Sequence, residues 1–305
     1  MKKIILIIIL YLNISHVQSI ETRIIYNIQD EIITNVDIKN EFKYLVALNN
    51  DLKKLDKEKI LSISNESIIK ETIKKIEISK NFEIKEINKE HSNFLLQEAY
   101  SRLGLKSLNE FELYLKGYNL NLDDIRKKIS INVLWNKLII KKYANQILIN
   151  KDQIKQKINK SEGKKSKEYQ LSEIVFDVEN KEEIKKKYKK IVESINKIGF
   201  KNSASVYSGS ESAKIGGDIG WINKNSLNKK IERSITNLKI GEISQPIILS
   251  SGILILKVVN IKKSEIKIDD EAELKKAIIY EQNRQLNQFS KIYFNKIKKN
   301  IELNE

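Results

Sequence analysis

The chain has 305 residues, enough for two domains, and 41% of them are hydrophobic, enough to fill real cores. Its formal charge is +16, from 56 basic and 40 acidic residues. The lysines are spread along the whole chain among glutamates, with no basic stripe interleaved with aromatics, so the surplus reads as solvated helix faces and not as a nucleic-acid footprint. There is no cysteine, which excludes disulfides, thiolate metal sites and cysteine nucleophiles.

Met1-Lys2-Lys3 is basic, and Ile4 to Leu12 is an apolar run followed by polar residues, with Val17 and Ser19 suited to the −3 and −1 positions of a leader-peptidase cut. This predicts a signal peptide over 1–19, cleaved after Ser19, and hence export to the periplasm. The run is shorter than the roughly 20 residues that span a bilayer, and no later stretch qualifies, so stable membrane insertion is not expected.

Residues 20–159 read as a helical domain behind a short β-ribbon. Thr22 to Ile28 and Glu31 to Thr34 are β-rich runs around the turn Gln29-Asp30. Thr34-Asn35-Val36-Asp37 opens a capped helix, and Ser64 or Asn65 is the expected cap of a second long one. A third is predicted over 85–103, stopped by Gly104. Ser107-Leu108-Asn109-Glu110 is a capping box for a short helix ended by Gly117. Asn121 caps another long helix, and a last short one starts near Lys151. The charged stretch 160–168 lacks apolar periodicity and is read as a linker.

Seven of the 10 glycines and the only proline, Pro246, fall in or beside 200–252. Glycine serves where the backbone needs positive φ or close approach, so the tight turns are specified here. The blocks run Gly216-Gly217-Asp218-Ile219-Gly220-Trp221, then Leu238-Lys239-Ile240-Gly241-Glu242-Ile243-Ser244-Gln245-Pro246, then Ser251-Gly252-Ile253-Leu254-Ile255. This order resembles the parvulin (PpiC, rotamase) family of peptidyl-prolyl cis-trans isomerases. The ribbon, its turn and Ile33 to Ile38 resemble the start of the SurA-type periplasmic chaperones.

These resemblances imply an α+β fold: a mainly helical domain over 20–159 plus a parvulin-like domain, a small antiparallel sheet flanked by helices, over 169–262. Residues 265–305 carry an apolar helical stripe (Ala272, Leu274, Ala277, Ile278, Leu286, Phe289, Ile292, Tyr293 and Ile297). The chaperones imply that this helix packs back on the N-terminal domain. The parvulins imply a substrate-binding surface at Leu227 and Ile231, on the helix after Trp221, with Trp221 and Leu254 as further substrate-binding residues. They also imply a polar set around the twisted amide, but this chain departs from it. Glu173 and Leu254 stand where the family carries histidines, and the remaining candidates are Ser210 and Ser251. Both of the chain's histidines, His16 and His91, lie outside the region.

The function implied is a periplasmic chaperone binding unfolded polypeptides, outer-membrane barrel precursors above all, with isomerase catalysis as an alternative on Glu173, Ser210 and Ser251. A third reading is a basic exported protein that binds polyanions. No cofactor, metal or nucleic-acid partner is expected.

Overall fold

The computed structural model describes residues 21–84, 87–159, 166–178, 180–249, 252–264, 270–301 and 303–304. The proposed leader at 1–19, the candidate Ser251 and the start of the stretch read as a linker lie outside them.

Strands β1 (Ile24–Ile28) and β2 (Glu31–Thr34) form an antiparallel hairpin, turned by Gln29 in the left-handed region at φ 55°. Helix α1 (Asn35–Leu48) follows directly. The Thr34 hydroxyl accepts from the Asp37 amide at 3.2 Å, and the Asp37 carboxylate accepts from the Thr34 amide at 2.8 Å. Two orphan donors of the first turn are thereby satisfied, as the four-residue pattern requires.

Helix α2 (Lys57–Ser79) starts earlier than the expected cap at Ser64 or Asn65. Asp56 is the cap, accepting from the Lys59 amide at 2.9 Å. Ser64 lies within the helix, and its hydroxyl donates to the Ile60 carbonyl four residues back at 2.8 Å. A serine can serve either purpose, and the acidic residue in the preceding lysine-rich stretch takes the cap. Helix α3 (Lys89–Arg102) begins at Asn88, inside the expected span, and Gly104 ends it at φ +78°. Helices α4 (Leu108–Lys116) and α5 (Leu122–Tyr143) start where their caps predict and α6 (Lys151–Asn159) at the expected position, but Gly117 keeps a right-handed backbone and Asn119 makes the left-handed turn at φ 54°.

Strand β3 (Ser166–Phe176) reaches back into the stretch read as a linker. The charges there are cross-strand partners: Glu168 meets Lys262 at 2.7 Å. Helix α7 (Glu183–Tyr207) is broken at Gly199 (φ 82°, ψ 163°), and a single 3-10 turn, Glu211–Ile215, leads to β4 (Asp218–Asn223). Helix α8 (Lys229–Ile235), β5 (Ile247–Leu249), β6 (Gly252–Ser264), the long helix α9 (Asp270–Lys299) and β7 (Leu303–Asn304) complete the order.

One sheet has the order β4-β3-β6-β5, antiparallel throughout. It is buried on both faces, so β6 is apolar at successive positions. Ile253 and Ile255 pack with Ile191 and Phe200 of α7, while Leu254 and Leu256 pack with Leu227 and Ile231. The other sheet, β2-β1-β7, joins residues from opposite ends of the sequence, with Ile28 opposite Leu303.

Helix α9 completes the helical part. Trp135 of α5 is 1% exposed, stacks on Tyr293 with ring centres 5.9 Å apart, and donates its indole N–H to the Ser290 hydroxyl at 2.8 Å. Tyr143 stacks on Phe289 at 4.8 Å, and the Tyr293 hydroxyl bonds Glu77 of α2. Of the apolar stripe expected in the C-terminal segment, Leu286, Phe289, Tyr293 and Ile297 face this core, whereas Ile292 is 50% exposed.

Candidate functional site

The turn after α7 is folded back onto the sheet by Gly216 and Gly217. The Gly217 carbonyl accepts from the Glu173 amide at 2.7 Å. A Cβ at Gly217, where φ is +81°, would lie 2.3 Å from the Glu173 carbonyl oxygen, so only glycine allows this approach. The turn thereby places a run of alternate serines beside the Glu173 side chain. The Ser212 hydroxyl donates to the Glu173 carboxyl at 2.9 Å. Ser210 is 2.7 Å from Ser212, and Ser208 is 2.8 Å from Ser210. Ser208 in turn accepts from the Val175 amide at 3.0 Å.

Burial pushes the Glu173 carboxyl above its ordinary range, and the Ser212 and Ser210 hydroxyls and the Lys291 ammonium only partly oppose this. Glu173 and Ser210 are thus brought into one hydrogen-bonded chain, but the direct partner is Ser212, which sequence reasoning missed. The alternation Ser208-Gly209-Ser210-Glu211-Ser212 was the available signal.

Leu227 sits in the turn before α8, not on the helix itself, where it had been expected. Ile231 is on α8 and Leu254 on β6, and all three are 4% exposed or less. They share one apolar cluster, whose outer atoms form the wall of an open cleft of about 990 Å3. Trp221 stands at this wall, 41% exposed, with the Lys262 ammonium 4.5 Å from its ring centre. Opposite lie Ile69, Lys70, Ile73 and Lys74 of α2.

Helix α9 gives a third wall that the sequence did not announce. Tyr280 packs against the Leu227–Ile231–Leu254 cluster, and Phe294 lies further along the same side. Burial, with the negative charge of Glu173, pushes the Tyr280 phenol up to about 12, so it stays protonated as a donor. Tyr280, Asn287 and Phe294 recur every seven residues, a second stripe beside the core-facing one.

The cleft also holds a charged cluster. Lys70 and Lys74 both approach the Glu211 carboxylate, at 2.9 and 2.8 Å. Desolvation works against charge on Glu211, yet Lys70, Lys74 and Lys214 outweigh it and hold the carboxyl well below its ordinary range. Burial brings the Lys74 ammonium down to about 8 despite Glu211. Among the described residues no group of three or more His, Asp or Glu side chains is placed to hold a metal, and His91 is exposed on α3. The site offers an apolar wall, aromatic edges, hydroxyl donors and one reluctant carboxylate.

Residues 164–260 match the rotamase, PPIC-type PPIASE domain. The chain is similar to the chaperone SurA of Pseudomonas putida, 27% identical over 180 residues, which is 56% of this chain and 42% of that one. The chaperone SurA of Burkholderia orbicola is 34% identical over 80 residues, 26% of this chain and 18% of the relative. These alignments span less than half the length of the relatives. Among solved structures, that of a SurA-like chaperone from Campylobacter jejuni covers 92% of this chain and 98% of its own, at 16% identity and a TM-score of 0.33.

Proposed function

From a chain that carries one PPIC-type rotamase domain and is similar to the SurA chaperones, we propose a chaperone that holds unfolded, extended segments of other polypeptides in the cleft between its helical part and its rotamase domain. The observation that carries this reading is the cleft itself: about 990 Å3, open, apolar along the Leu227–Ile231–Leu254 wall and edged by Trp221, Tyr280 and Phe294. An extended segment buries apolar side chains on such a wall at roughly 25 cal/mol per Å2. It leaves again because no single contact dominates.

The finer reading places the protein in the periplasm, after loss of the 1–19 leader, with outer-membrane barrel precursors as clients. Those chains alternate apolar and polar residues and expose aromatics before insertion. Among the described residues no helix is long and apolar enough to cross a membrane. The basic surplus, +14 once Lys2 and Lys3 leave with the leader, suits acidic clients.

Prolyl isomerisation is a second reading, favoured by the Ser208–Ser210–Ser212–Glu173 chain beside the apolar wall. Rotation about the amide needs no bond broken, only tighter binding of the twisted form, about 1.4 kcal/mol for each tenfold.

The test is fluorescence anisotropy of the full chain titrated with a labelled, permanently unfolded polypeptide, alongside a proline-peptide isomerisation assay. Saturable binding, weakened about fivefold by Trp221→Ala, is expected, since losing part of an aromatic contact costs on the order of 1 kcal/mol. Absence of saturable binding overturns the holding function. An isomerisation rate equal to the uncatalysed one removes the second reading.

A further inference from the structure

The Glu211 cluster has an unusual distribution of exposure. The Lys74 side chain is 3% exposed and that of Lys70 22%, whereas the Glu211 side chain, the anion between them, is 48% exposed. Both ammonium groups converge on one carboxylate oxygen, Oε1. Each ammonium is also held from elsewhere. Lys70 donates to the Gly209 carbonyl at 3.2 Å and lies 5.7 Å from the Phe294 ring centre. Lys74 donates to the Asn132 amide oxygen at 3.3 Å and lies 5.5 Å from the Trp135 ring centre. Lys74 is therefore held within the helical part and Lys70 also by the turn that carries the anion, while Glu211 itself hangs from that short turn of the rotamase domain.

A buried ammonium without an anion is costly, so the position demands a carboxylate. Nothing in the geometry demands that it be this one. Glu211 faces open cleft, and an incoming carboxylate can offer an oxygen to the same two donors. The third cation, Lys214, favours any anion that comes there.

We propose that Lys70 and Lys74 form a carboxylate subsite of the cleft, that Glu211 is its resident occupant, and that an Asp or Glu side chain of a bound polypeptide displaces it. This rests on the polypeptide-holding reading above and adds a preference to it. The apolar wall takes apolar side chains, and the lysine pair selects segments that carry an acidic residue close to them. Glu211 then acts as an internal competitor. It satisfies the lysines in the empty protein and sets a threshold that only a polypeptide making further contacts on the wall can pass.

The experiment uses the full chain and two synthetic peptides, unstructured and leucine-rich, that differ only in carrying glutamate or glutamine at two positions. Anisotropy gives the ratio of their dissociation constants at fixed salt. In the wild type the glutamate peptide binds at least about threefold tighter, a margin that the internal competitor keeps small. In Glu211→Gln that ratio rises a further threefold or more, because the competitor has lost its charge. In Lys74→Met it falls to about one, and Lys70→Met serves as a second variant should the buried substitution prevent folding.

A ratio of one in the wild type, a ratio unmoved by Glu211→Gln, or preference for the glutamate peptide surviving in both lysine variants overturns the subsite. Free acetate that abolishes the preference at millimolar concentration overturns it as a polypeptide selector, leaving a small-anion site. If neither peptide binds, the holding function falls and the subsite with it, whereas equal binding of both removes the subsite alone.

Discussion

Glu173 shows how one side chain carries both a structural cost and a chemical opportunity. Its carboxyl is buried beside the sheet with Ser212 as donor, and burial raises its affinity for a proton above that of an ordinary carboxyl near 4.5. The folded state therefore holds this proton more tightly than the unfolded chain. The resulting stabilisation is complete below the ordinary value and is lost as pH rises through the folded one. Glutamine keeps an acceptor for Ser212 and never ionises. Glu173→Gln is therefore expected to be more stable than the wild type at pH 8 and no more stable at pH 4, read as denaturant midpoints at the two values. An equal difference at both pH values would show that the carboxyl pays no ionisation cost in the fold. At this scale the sequence was informative about backbone and poor about partners. Gly216 and Gly217 stood out because a glycine-poor chain spends glycines only where turns demand them. Ser212 did not stand out, because its value depends on a strand some forty residues away that only the folded turn brings near.

Among the elements, α9 has the largest consequences. One of its faces carries Leu286, Phe289, Tyr293 and Ile297 into the helical core, another lines the cleft with Tyr280 and Asn287, and Phe294 reaches both. The first face was legible as an apolar stripe at helical spacing. The second was not, since polar and aromatic residues at seven-residue intervals look like any solvated face until something lies opposite. The start of α2 was hidden for a related reason: several residues were competent to cap, and local pattern does not rank them. The stretch 160–168 misled in the opposite direction. Its charges suggested a linker, yet from Ser166 onward they belong to a strand whose partner carries the opposite sign. Trp135 is the pin between α5 and α9, and through its ring it also supports the Lys74 ammonium. Trp135→Ala is expected to cost about 3–5 kcal/mol in urea unfolding, the range for emptying a buried aromatic site, with faster amide exchange along α9. A loss under about 1 kcal/mol would mean that α9 is anchored elsewhere.

For the molecule as a whole, the cleft exists because the rotamase domain and α9 are both set against α2. No single stretch of sequence contains it. Its apolar wall comes from 221–254, its lysine pair Lys70 and Lys74 from α2, and its third side from α9. The fold class was readable because each part has its own local signature, and the cleft was not because it belongs to their arrangement. The same long-range character appears at the other end of the helical part, where β7 lies alongside β1. Removing residues 302–305 is expected to speed hydrogen exchange of the β1 amides while leaving the rotamase sheet as protected as before. Unchanged protection in β1 would show that this short strand adds nothing to the ribbon.

That pairing also sets an order of events during synthesis. A ribosome releases Ile28 long before Leu303, so the first sheet has no complete form until the chain has been made through Leu303. Until then the ribbon of β1 and β2 stands with the far edge of β1 unpaired, its amides and carbonyls open to any other strand.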